Sequence, residues 1–163
     1  MIQRLLLTLV GLWLFPLFSL NAQVGFSLPV LNNAVPGSVV TLPVKVSNFD
    51  SIVGTQFVIQ WDSQILEFLA VLAYNLPNMS NEDFGLGETS SGLLRFAWEA
   101  PNVNSGHTAA DGTSILLLRF GVNGQNNEGS SVIFTEDNPT TVFEVVQVGQ
   151  PPLGIEDCTL SNG

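Results

Sequence analysis

A single cysteine, Cys158, cannot form an internal disulfide, and one histidine, His107, cannot complete a Cys/His zinc site with it. Basic residues are almost as scarce. Four Lys and Arg stand against 14 Asp and Glu in 163 residues, a formal net charge of −10. Nucleic acid is bound through basic surfaces, so this balance excludes it as a partner, and it argues against an anionic membrane surface. Charged residues make up only 11% of the chain while 45% are hydrophobic, the composition of a chain that folds rather than stays disordered. No stretch carries a sustained 3.6-residue period with helix caps. No internal repeat, linker or low-complexity tract is present.

The one long apolar run lies at the start, residues 5–20 behind Arg4. Pro16 interrupts it, and Ser19, Asn21 and Ala22 close it. This is the pattern of a secretory signal peptide cleaved after Ala22. A transmembrane anchor is the alternative, but the run is short for a bilayer and broken by proline. No cysteine follows the cleavage point to carry a lipid, so no membrane attachment is expected after cleavage. The exported domain would span residues 23–163, with three basic residues against 14 acidic ones, a net −11. A domain of that size buries roughly two-thirds of its unfolded surface and needs no metal or disulfide staple. In an exported chain, Cys158 reads as a semi-buried thiol near the terminus, with a cross-link to a second chain as the alternative.

Nearly everything downstream has a period of two. Val40, Leu42, Val44 and Val46 alternate with Thr41, Pro43 and Lys45 behind the turn Pro36-Gly37. Thr55, Phe57, Ile59 and Trp61 alternate with Gln56, Val58 and Gln60. Leu94, Phe96 and Trp98 alternate with Leu93, Arg95 and Ala97, and Leu116, Leu118, Phe120 and Val122 with Ile115, Leu117, Arg119 and Gly121. Residues 132–134 and 142–148 complete the series, with Gly, Pro, Asn, Asp and Ser clusters between the runs. Short strands at regular spacing, each with one apolar face, predict an all-β sandwich or barrel.

The order of these segments resembles a cohesin domain. The most specific piece is a strand followed by aromatic-Asp-x-x-x-Leu-Glu, here Trp61-Asp62-Ser63-Gln64-Ile65-Leu66-Glu67. The second is Asp111-Gly112 opening a strand that ends Phe120-x-Val122. The resemblance covers about residues 24–163. It implies a nine-stranded β-sandwich of jelly-roll topology and a noncatalytic module that binds a dockerin, a small calcium-dependent module carried by secreted enzymes, often polysaccharide-degrading ones. Any calcium is then expected on the dockerin partner, and no cofactor on this chain. Some carbohydrate-binding modules share the fold, so polysaccharide is the alternative partner. Two departures stand out. Many family members carry Asn and Asp on the outward face of the strand before the Asp-x-x-x-Leu-Glu motif, where this chain has Gly54 and Gln56. The family's last strand usually follows an Asn-Gly turn, and the sequence reaches Asn162-Gly163 there, so the last strand is expected to be missing or truncated.

Catalysis is not expected. His107 is read as a solvated loop residue with no nucleophile pattern around it. Glu67, Glu99 and Asp111 are the candidates for a glycosidase carboxylate pair, but their flanking residues read as structural. Glu82-Asp83 and Glu136-Asp137-Asn138 lack the spacing of an EF-hand loop and read as solvated acidic loops. Trp61 and Trp98 fall on core faces, leaving Tyr74 and the loop residue Phe84 as the only aromatics for a sugar platform. The stronger signal is apolar residues at outward parity: Val58, Leu93, Ile115 and Leu117, edged by Gln56, Gln60, Arg95 and Arg119. The resemblance places these strands side by side in one sheet, so these eight residues are the expected partner-binding patch, an apolar centre with a polar rim.

Overall fold

The computed structural model describes residues 23–163 apart from Asn33 and Asn138. The expected leader, residues 1–22, lies outside the described residues. Two sheets face each other. The first has the order β11-β1-β2-β8-β4, from Thr159–Ser161, Gly25–Ser27, Val39–Ser47, Ser114–Val122 and Leu66–Leu72. The second has the order β10-β3-β6-β5, from Glu144–Gln147, Phe49–Gln60, Leu93–Glu99 and Phe84–Gly85. Two short strands, β7 (His107–Ala109) and β9 (Ile133–Thr135), also pair with β3. Among the described residues eleven strands thus stand where nine were expected, the difference being these two three-residue pieces. Among these residues no helix is long and apolar enough to cross a membrane.

The predicted alternation builds the core. Leu42, Val44 and Val46 of β2, Phe57 and Ile59 of β3, Leu94 and Phe96 of β6, and Leu116, Leu118 and Phe120 of β8 are all buried. Phe26, Phe57, Phe134 and Phe143 pack as one aromatic cluster, mostly edge to face. Both predicted core tryptophans are buried and their indole N–H groups are satisfied. Trp61 donates to the Leu66 carbonyl at 3.0 Å and Trp98 to the Pro77 carbonyl at 2.8 Å. Pro43 is tolerated inside β2 because β1 covers only Lys45–Ser47, which leaves the strand an edge on that side at residue 43.

The closing strand is present and short. β11 adds to β1 in parallel, with Gly25 opposite Thr159, and the Leu28 N–H continues the ladder to the Ser161 carbonyl. Beyond it, Val132 and Gly163 exchange both backbone hydrogen bonds, and the Asn162 side chain accepts from the Phe134 N–H at 2.9 Å.

Two loop assignments change. His107 lies in β7, opposite Ile52, with its ring edge-on to Trp98. Phe84 lies in β5, buried against Phe96 and Tyr74. Both segments are too short to show a period in the sequence.

Candidate docking face

The eight predicted patch residues do not share a face. β3 and β6 lie in one sheet and β8 in the other. Gln56, Val58, Gln60, Leu93 and Arg95 belong to the outer face of the β10-β3-β6-β5 sheet, where Gln56 pairs Ala97, Val58 pairs Arg95 and Gln60 pairs Leu93. Leu117 and Arg119 belong to the outer face of the opposite sheet. Ile115 belongs to neither. Val44 pairs Leu116 but Lys45 pairs Ser114, so Ile115 is the extra residue of a β-bulge and turns into the core, with 0% exposure.

Val58 corrects the expectation differently. Its parity is outward, yet it is 0% exposed. Its strand neighbours are Arg95 of β6 on one side and Thr135 of β9 on the other. The Arg95 guanidinium bonds Asp137 and, at 3.1 Å, Glu88. The Arg95 stem packs against Gly85 of β5, with Cγ and Cδ 3.8 Å from where a Cβ would stand. Arg95 Nε is buried with no hydrogen-bond partner. The hydrogen bonds from Asp137 and then Glu88 raise the guanidinium pKa above its already high value, so it stays charged. Val58 is therefore not an apolar hot spot on this face.

What this face does present is a shallow groove one step along the strands. Its floor is small: Gly54, pairing Glu99 and Val146, and Ala97, pairing Gln56. A Cβ on Gly54 would meet the Trp98 carbonyl at 3.2 Å, so the strand pair closes tightest where the side chain is absent. Asp83, Glu99 and Glu144 rim the groove, and Gln56 donates to Glu144 at 3.3 Å. Among the described residues Arg95 is the only Lys or Arg on this face, and it is committed to Glu88 and Asp137. The face is thus anionic with a low floor, suited to a partner that brings positive charge. Gln60 and Leu93 continue it past Arg95, Gln60 exposed and Leu93 half-buried. Ala97 stands at outward parity in the sequence beside Leu93; Glu99 and Glu144 are acidic residues at outward parity that a search for apolar content passes over.

The other candidates disperse. Glu67 and Glu99 lie on opposite outer faces, farther apart than the ~10 Å between sheets and beyond the ~5–9.5 Å of glycosidase pairs. Asp111 accepts the Asn48 N–H at 2.7 Å as a turn cap. Among the described residues no three His, Cys, Asp or Glu side chains converge as metal ligands. A cavity of about 720 Å³ lies at one end of the sandwich between residues 29–34 and 124–132. Its one ionisable lining residue, Glu128, is used to accept the Gln125 N–H at 2.7 Å.

Cys158 is buried and free, and burial first, then Asp157, pushes its thiol up to about 11. The thiolate is the reactive form, so the native thiol should be inert at neutral pH. A disulfide-exchange dye is expected to label the folded protein slowly and the denatured protein at once; rapid native labelling would show an accessible thiol.

The family model for the cohesin domain matches residues 25–146. The chain belongs to the cohesin family. Solved structures agree on the fold. A type I cohesin–dockerin complex from Clostridium thermocellum matches this cohesin with a TM-score of 0.65 at 14% identity, over 87% of this chain and 96% of that one. A non-cellulosomal cohesin from the archaeon Archaeoglobus fulgidus matches with 0.64 at 17% identity, over 87% and 88%. A cohesin from Clostridium acetobutylicum matches with 0.62 at 20% identity, over 88% and 89%. No curated protein matches the sequence. At these identities the fold of the cohesin is shared while the side chains of its outer faces are its own.

Proposed function

We propose that this cohesin is an exported, noncatalytic docking module that binds a dockerin-type module of a secreted protein through the outer face of its β10-β3-β6-β5 sheet. The observation that carries the reading is the family match over residues 25–146. Gly54 and Gln56, the positions aligned with the Asn and Asp of many family members, both lie on this outer face. With Gly54 bare and Gln56 tied to Glu144, the contact relies on the groove and its carboxylates. A dockerin with a basic side chain over Gly54 and Ala97 fits it, and association is faster at low salt. The calcium belongs to the partner. The polysaccharide alternative has little to stand on: Trp61, Trp98 and Phe84 are buried, which leaves Tyr74 as the exposed aromatic among the described residues.

The test is capture on the immobilised protein from the secreted proteins of the source organism, with calcium and with chelator. Capture of proteins carrying a duplicated calcium-loop module, lost on chelation, is the expected result. No such capture, with retention of the protein on insoluble polysaccharide, overturns the docking reading.

A further inference from the structure

We propose that the outer face of the β2-β8-β4 sheet is a dimer interface, and that its occupant is a second copy of this chain. The argument begins with charge. The described residues hold 14 acidic side chains but only Lys45, Arg95 and Arg119 as Lys or Arg. Arg95 is spent on Glu88 and Asp137 on the opposite face. Among the described residues the cations without an ion pair are therefore Lys45 and Arg119, and both lie on this one face. A second copy of so acidic a chain meets carboxylates almost wherever it approaches. This face instead carries both signs, Lys45 and Arg119 beside Glu67, so opposite charges can be set against each other across a two-fold axis.

The face is also apolar where an interface needs it. The register sets Leu117 between Pro43 and Leu72, Arg119 between Thr41 and Ala70, and Gly121 between Val39 and Glu67. Leu69 lies over Gly121, its Cδ1 3.9 Å from where a Cβ would stand, so the missing side chain there lets the leucine lie flat. Val39, Leu69 and Leu72 are 50%, 44% and 36% exposed, high values for aliphatic side chains in the middle of a folded domain.

The charges on this face are self-complementary. Arg119 and Glu67 sit on adjacent strands one pleat step apart, close to each other but not ion-paired. A two-fold axis between them sets each Arg119 against the partner copy's carboxylate at position 67 and closes the leucines between the copies. Such an isologous contact terminates at two copies. It leaves both β10-β3-β6-β5 faces pointing outward, so one dimer offers two docking faces. This inference stands apart from the dockerin reading, since it concerns the other side of the sandwich.

Sedimentation of the purified protein across micromolar concentrations tests it. The expected result is reversible association to twice the monomer mass. Arg119→Glu or Glu67→Arg alone should weaken it about tenfold or more, and the double reversal should restore it. Leu72→Asp should give a monomer with an unchanged melting temperature. A monomer at every concentration overturns the proposal. So does a dimer indifferent to Leu72→Asp, or one that Ala97→Arg on the opposite face dissolves.

Discussion

Phe57→Ala is expected to cost about 3–5 kcal/mol of folding stability. Phe57 is 0% exposed at the centre of β3, and its ring contacts those of Phe26, Phe96, Phe134 and Phe143. These come from four different strands and loops of both sheets, so nothing nearby can collapse into the space without breaking a ladder. The loss therefore combines transfer free energy with an unrelieved cavity. Domains of this size have about 5–15 kcal/mol in total, so roughly a fifth or more of the stability goes. The melting temperature should fall on the order of 10–20 °C. Denaturant unfolding is the measurement, with Phe57→Leu as the volume-sparing comparison at under about 2 kcal/mol. A loss below about 1 kcal/mol for Phe57→Ala would mean that the aromatic cluster does not organise the core.

Ala97→Arg should remove docking while leaving the fold intact. Ala97 is exposed, so the substitution touches no core contact and should shift stability by only a few tenths of a kcal/mol. Its effect is on the groove. A long side chain would fill the floor beside Gly54 and set a positive charge among Asp83, Glu99 and Glu144. That removes both the shape and the sign of charge a basic partner recognises. Affinity for a monovalent dockerin should drop about 100-fold, close to 2.8 kcal/mol. Ala97→Ser should bind within a factor of a few. Calorimetric titration distinguishes these outcomes, and full affinity in Ala97→Arg would move the docking site off this face.

Alternation made much of the fold readable. Parity is local: Phe57, Ile59, Leu94, Phe96, Trp61 and Trp98 are buried because each lies on the apolar side of its own strand. What alternation does not carry is which strand joins which sheet. β3 and β8 look alike in the sequence, and they lie in opposite sheets, so their outer faces point to opposite sides of the molecule. Ile115 fails for another local reason, since one extra residue in β8 reverses its direction. Val58 fails through residues far from it in sequence. Its direction is legible, but its burial depends on the neighbours that β6 and β9 bring to either side of it, Arg95 and Thr135. The docking groove escaped because it is defined by absent side chains at Gly54 and Ala97 and by acids from three separate segments.

The parallel pairing of β11 with β1 joins Gly25 to Thr159, nearly the two ends of the described chain. Loop closure over that distance is entropically the most demanding contact in the molecule, and it is rewarded by a ladder of only three residues. It should therefore form late. On a chain that emerges from its N-terminus, β1 has only its β2 neighbour until almost the whole sequence is available. The sandwich seals only once residues 159–161 reach β1, which ties its closure to a contact spanning nearly all the described residues rather than to any early nucleus.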